Sequence, residues 1–89
     1  MIKAVSLKLY LGECSSLKAK RRIIQSLIEK SKKYNVSIAE TGELDTWNLS
    51  EITFAVVSNS ESYNQNIVDK IINLFDNDFR LSIVEIILQ

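Results

Sequence analysis

The sequence predicts an α+β protein with the element order βαββαβ. Four segments alternate in polarity or are rich in β-branched residues, and two longer segments repeat their apolar residues at the helical period. Two βαβ halves of this kind interleave into a ferredoxin-like sandwich, in which both helices cover one face of a four-stranded antiparallel sheet. The predicted strand order is 4-1-3-2, and we expect residues 1–89 to form one domain. An alternative arrangement exchanges an edge strand between the subunits of a dimer.

The first strand and the first helix have the clearest patterns. Residues 2–11 alternate between apolar and polar side chains, and Gly12 ends this strand. Either Ser15 or Ser16 is expected to cap the following helix, because a serine hydroxyl accepts hydrogen bonds from free backbone amides. The apolar period then predicts a helix that continues to about Lys33.

The remaining elements are shorter. A short strand is predicted at residues 36–40, and a polar loop follows at 42–48. Residues 51–57 are β-branched and aromatic, as is typical of a buried strand. A second amphipathic helix is expected from about 61 to 75, and residues 80–88 form the last strand.

The last strand is apolar on both of its predicted faces. Alternation places Leu81, Ile83 and Ile87 on one side and Val84, Ile86 and Leu88 on the other. A two-layer sandwich buries only one face of its sheet fully. The pattern therefore predicts either tolerated apolar exposure at the edge of the sheet or a contact with a second subunit or partner.

Composition excludes several classes of function. The chain has no histidine, a single cysteine and two isolated glycines, so a zinc site, a histidine-based triad and a phosphate loop are not expected. We therefore predict no metal, no cofactor and no enzymatic activity. No apolar run approaches the ~20 residues that span a bilayer. With one cysteine and no secretory signal pattern, the sequence predicts a cytoplasmic protein without membrane contact.

Positive charge is concentrated in the first helix. Residues 18–33 hold seven of the eleven basic residues and one acid, Glu29, so this segment carries +6 and the rest of the neutral chain carries −6. Cations near a helix N-terminus cost about 0.3–1 kcal/mol each, and the free amides there bind anions. The predicted anion- or RNA-binding residues are Lys18, Lys20, Arg21, Arg22, Lys32 and Lys33. The alternative is a solvated face that pairs with acids from the rest of the domain.

Lys20 differs from the other cations in this segment. On a helical wheel it lies between Leu17 and Ile24, on the apolar side. Either its long stem fills space beside the core while the amine reaches the surface, or its ammonium holds an anion in a groove.

The polar loop contains two candidate contact residues, Asp45 and Trp47. A single loop tryptophan either closes the open end of a small core or anchors a partner, because tryptophan dominates many interfaces. We therefore predict Asp45 and Trp47 as a partner contact.

Four short motifs resemble those of the YlxP-like family, small bacterial proteins described as a domain of unknown function. The segment SLKAKRR at 16–22 is similar to the family's SLKEKRR, and NVSIAE at 35–40 is similar to NVSVAE. DTW at 45–47 resembles its D-x-W loop, and AVVSN at 55–59 resembles its strand end. Ala19 replaces the motif's glutamate, which makes this helix start more positive.

The resemblance implies a ferredoxin-like fold and no established enzymatic activity. Genes of such proteins often lie near translation-initiation and ribosome-maturation genes, which implies a link to the ribosome. The sequence thus predicts a non-enzymatic module that contacts RNA or a ribosomal particle through the basic helix. The alternative is a protein-interaction module, either a homodimer or a domain that docks an acidic partner through the same helix and Trp47. A third hypothesis, an enzyme acting on a phosphorylated substrate, lacks a matching catalytic loop.

Overall fold

The predicted element order is confirmed in the computed structural model, which describes residues 1–89. The elements are β1 (Ile2–Tyr10), α1 (Leu17–Ser31), β2 (Ser37–Gly42), β3 (Leu49–Val57), α2 (Glu61–Asp76) and β4 (Ser82–Leu88). All neighbouring strands are antiparallel, in the order β2-β3-β1-β4. This is the predicted order 4-1-3-2, so β2 and β4 are the edges of the sheet.

Serine side chains begin both helices. The hydroxyl of Ser16 accepts a hydrogen bond from the backbone N–H of Ala19 at 3.1 Å, so Ser16 is the N-cap of α1. Ser60 caps α2 in the same way. A single 3₁₀ turn at 32–34 extends α1, and Asn35 then takes a left-handed conformation with φ of 55°, which asparagine tolerates better than most residues. This residue turns the chain toward β2.

One apolar core lies between the sheet and the helices. Alternate residues of the central strands β1 and β3 point into it, and Leu7, for example, pairs with Ile52. The side chains of Leu27 from α1 and Ile71 from α2 pack into the same cluster. The two helices therefore cover one face of the sheet, as predicted.

The other face of the sheet carries a row of polar side chains. The amide of Gln89 donates to the hydroxyl of Ser6 at 2.8 Å, and this hydroxyl lies 2.7 Å from that of Thr53. Thr53 in turn lies 2.7 Å from the hydroxyl of Thr41. The row crosses β2, β3 and β1 and ends at the residue that follows β4.

A bulge in β4 corrects one prediction. The register pairs Ile83 with Leu9 and Ile86 with Leu7, and both of these β1 residues point into the core. Ile83 and Ile86 therefore share the helix side, because Val84 is an extra residue in β4 without a partner in β1. The prediction that simple alternation places Ile83 and Ile86 on opposite faces is wrong.

Candidate polyanion-binding face of helix α1

Basic side chains line the solvent side of α1. Lys18, Arg21 and Arg22 are all exposed, and Lys32 continues their row just beyond the end of the helix. Spacings of three and four residues place side chains next to one another on a helix surface. We call these four residues the basic face. The basic face points to solvent because the apolar side chains on the opposite side of α1 pack into the core.

Most of the basic face has no acidic partner. Lys32 forms an ion pair with Glu29 at 3.0 Å, and the hydrogen bond and charge of Lys32 lower the pKa of Glu29. No carboxylate lies within 4.0 Å of Lys18, Arg21 or Arg22. The alternative that acids from the rest of the domain pair with this face therefore does not hold for these three cations.

Lys33 lies in the 3₁₀ turn beyond the helix. Its ammonium is 5.0 Å from the centre of the Tyr34 ring, within the range of a cation–π contact. The side chain is exposed, so it extends the positive charge toward the C-terminal end of α1.

A groove runs beside the basic face, between α1 and the edge strand β2. Its volume is about 1100 Å³. Ile24 and Ile28 of α1 and Ile38 of β2 supply apolar lining, and residues of the basic face line it as well. No aromatic side chain lines this groove. Glu29 and Glu40 line the groove too, so it joins four basic side chains, two carboxylates and an aliphatic surface.

Lys20 is not part of this surface. Its side chain is completely buried, and its ammonium donates to the backbone carbonyl oxygens of Glu43 at 2.6 Å and Leu49 at 3.0 Å. It also lies 3.1 Å from Oε2 of Glu40. Two of the three ammonium donors bond to these carbonyl oxygens, and the Glu40 carboxylate balances the charge. The prediction that Lys20 binds an anionic ligand is therefore wrong. The alternative, that its amine reaches the surface, is wrong as well because the side chain is completely buried.

Glu40 is an acid from the rest of the domain, so the alternative of internal pairing holds for Lys20, whereas Ser50 is a partner that sequence reasoning missed. The hydroxyl of Ser50 donates to Oε2 of Glu40 at 2.7 Å, which fixes the carboxylate beside Lys20. One signal was available in the sequence. Glu40 is two residues from Ile38 in the same strand, so both face the helices, and a charge on that side requires a partner.

The loop between β2 and β3 lies beside the first turns of α1, because Lys20 bonds to a residue at each end of it. Asp45 in this loop is exposed and forms no ion pair. Trp47 is 48% exposed and lies outside the core cluster. The alternative that Trp47 closes the open end of the core is therefore wrong.

No three His, Cys, Asp or Glu side chains converge closely enough to hold a metal ion. Neither helix has the length and apolar character needed to cross a membrane.

A family model described as "Protein of unknown function (DUF503)" matches residues 2–87. The chain belongs to the DUF503 family. A relative, the uncharacterized protein YlxP of Bacillus subtilis (strain 168), is 31% identical over 65 residues, which cover 72% of this chain and 71% of that protein. The resemblance to the YlxP-like family is therefore confirmed.

A solved structure supports the fold of this DUF503 member. The NMR structure of the designed protein LFR1 1, which has a ferredoxin fold, superposes with a TM-score of 0.57. The alignment covers all of this chain and 83% of the designed protein at 16% sequence identity. At that identity the similarity shows the ferredoxin-like fold alone.

Proposed function

We propose that this protein binds RNA through the basic face of α1, by contacts to backbone phosphates. The observation that carries the proposal is the set of three exposed cations without an acidic partner, Lys18, Arg21 and Arg22. When cations on a protein surface bind the phosphates of a nucleic acid, the counterions of those phosphates are released. This release favours binding at low salt. A surface whose charges were already paired internally would lack this driving force.

The position of these cations strengthens the argument. Lys18 lies in the first turn of α1, which contains no acid, and the helix dipole is positive there. The electrostatic cost of a cation at this end is offset when a phosphate binds beside it. The cations in this first turn are therefore more favourable in a complex with an anion than in the free protein.

The lining of the groove favours one form of RNA. Single-stranded nucleic acid is usually held by aromatic side chains on which the bases stack, and the groove has none. Double-helical RNA is recognised mainly through its shape and its backbone. We therefore infer that the ligand is a structured RNA, and a ribosomal particle is the candidate that the family resemblance favours.

A titration across salt concentration tests the proposal. Double-helical RNA and a single strand of equal length are titrated at low and at moderate salt, with fluorescence anisotropy as the measurement. Three or four phosphate contacts predict that log K falls by about 2–4 for each tenfold increase in salt. Tighter binding of the double helix with that slope is expected. Absence of binding at both salt concentrations would contradict the proposal.

A second candidate function is docking of a protein partner through the β2–β3 loop. Leu44 is 52% exposed and Trp47 is 48% exposed, and Lys20 fixes the loop that carries them. An exposed tryptophan in a loop that is hydrogen-bonded to α1 at both ends is a suitable interface anchor. Recovery from nuclease-treated lysate of one partner that the Trp47→Ala variant fails to retain would favour this candidate over RNA binding.

A further inference from the structure

The edge strand β4 exposes an unusual amount of apolar surface. It pairs with β1 on one side only, so the backbone groups of its other side have no strand partner. Edge strands are usually protected by charged residues, proline or a bulge, and β4 has no lysine and no proline. Glu85 is its only charged residue, and it pairs with Lys8 at 3.7 Å. Because a bulge disrupts the beginning of β4, the regular part of this edge begins at Glu85.

Two apolar residues of β4 lie on the helix side of the sheet but are not covered by a helix. Ile86 is opposite Leu7 and Leu88 is opposite Val5, and both β1 residues are completely buried. Ile86 itself is 46% exposed and Leu88 is 71% exposed. The helix layer therefore ends before the edge of the sheet, and apolar surface continues beyond it.

We propose that a second copy of this chain pairs with β4 edge to edge, through residues 85–89 and a two-fold axis at Ile87. In such a pair, directly opposed residues must point to the same face of the sheet. The axis must then pass through a residue and not between two residues. An axis at Glu85 would oppose two like charges, and an axis at Ile86 would require the bulged Val84 to pair.

A two-fold axis at Ile87 gives every residue of 85–89 an opposed residue on the same face of the sheet. On the helix side, Ile86 packs against the partner's Leu88, and the symmetric contact repeats this pair. On the open side, Ile87 meets its own copy and Glu85 lies opposite the amide of the partner's Gln89. Backbone pairing extends the sheet from four strands to eight.

The chemistry of the edge selects a protein partner over RNA. Residues 85–89 contain no cation, so they offer nothing to a phosphate. The basic face lies beside β2, at the opposite edge of the sheet, and stays free in the dimer. The proposal is therefore independent of the proposed RNA binding.

Cysteine cross-linking tests both the dimer and its register. In a Cys14→Ser background, Ile87→Cys places two thiols directly opposite each other, at the Cα separation of about 4.5–5.5 Å found across antiparallel pairs. Ile86→Cys and Leu88→Cys each place the two thiols on a diagonal of about 7–8 Å, which is too long for a disulfide without backbone movement. We expect Ile87→Cys to form a covalent dimer under mild oxidation and the other two variants to form little. Equal cross-linking of all three, or preferential cross-linking of Ile86→Cys, would overturn the proposed register.

Sedimentation equilibrium provides the second measurement and avoids introduced cysteines. The wild-type chain should shift from monomer to dimer as its concentration rises. Ile86→Lys, at a site that is partly exposed in the monomer, should raise the dissociation constant on the order of a hundredfold, because it buries an unpaired charge in the interface. Val57→Lys, at an exposed site at the end of β3, is the matched control, and it should leave the dissociation constant unchanged. A wild-type chain that stays monomeric at all concentrations, or equal effects of the two variants, would overturn the proposal.

Discussion

The ammonium of Lys20 lies 3.1 Å from Oε2 of Glu40, and no part of the Lys20 side chain is exposed to solvent. Ser50 donates to the same carboxylate oxygen, and two loop carbonyl oxygens accept from the ammonium. This network ties the first turns of α1 to both ends of the β2–β3 loop. The cation that the sequence placed inside the basic motif therefore has a structural role, whereas Lys18, Arg21 and Arg22 are exposed and have no acidic partner.

Replacement of Lys20 by methionine should destabilise the protein strongly. Methionine fills similar space but leaves Glu40 without its counter-ion and two carbonyl groups without their donor, and breaking a buried pair in this way costs about 3–5 kcal/mol. Urea unfolding followed by circular dichroism measures the change in the free energy of unfolding. Lys30→Met, at an exposed position on the same helix, should change it by less than about 0.5 kcal/mol. A loss below about 1 kcal/mol in Lys20→Met would contradict the assigned network.

The Lys20–Glu40 pair should be strongly coupled. Glu40→Leu removes the carboxylate and should also destabilise the protein, because the Lys20 charge then stays buried. The double variant Lys20→Met/Glu40→Leu should be more stable than the sum of the single losses predicts, by about 0.5–3 kcal/mol. A double-mutant cycle from urea unfolding measures this coupling, and additive losses would show that the two groups do not interact.

The ion pair between Asp78 and Arg80 should make the stability of the fold depend on pH. The hydrogen bonds and charge of Arg80 hold the pKa of the Asp78 carboxyl below its usual value of 3.8. The pair therefore stabilises the folded state fully above about pH 4, and this contribution is lost as the pH falls through the lowered pKa. Asp78→Asn should cost on the order of 1–2 kcal/mol at pH 7. The difference from wild type should shrink steadily below pH 4, whereas a constant difference would contradict the ion pair.

Two residues of β3 test the assignment of the sheet faces. Phe54 points into the core and is 1% exposed, whereas Val57 lies at the end of the same strand and is 66% exposed. Phe54→Ala should lower the free energy of unfolding by about 3–5 kcal/mol, because it leaves a cavity in the core. Val57→Ala should change it by less than about 1 kcal/mol. Similar losses in both variants would contradict the assignment of Phe54 to the core and of Val57 to the surface.

Most of the fold could be predicted because its signals are local. Apolar periodicity specified the strands and helices, and the βαββαβ order restricted the topology to the one observed. The bulge in β4 could not be predicted in this way, because no glycine marks Val84 and alternation assumes one residue for each partner.

The candidate site was predictable only in part. The positions of Lys18, Arg21 and Arg22 on the solvent side follow from the helical wheel. The wheel does not show whether acids from other elements pair with them, and in the structure none does. The role of Lys20 depends on contacts with residues 20 to 30 positions away in the chain. Single-sequence reasoning can show that such a residue lies near the core, but it cannot identify the loop carbonyl groups that accept its protons.

The proposed RNA-binding face is tested most directly by comparing two variants that lose the same charge. Arg21→Gln/Arg22→Gln removes two cations from the basic face, and Lys30→Gln/Lys70→Gln removes two exposed cations outside it. Affinity for double-helical RNA is measured at fixed low salt. We predict that the first variant binds at least tenfold more weakly than wild type and has a smaller salt dependence, while the second loses threefold or less. Equal losses in the two variants, or undiminished binding by Arg21→Gln/Arg22→Gln, would contradict the assignment of RNA binding to α1.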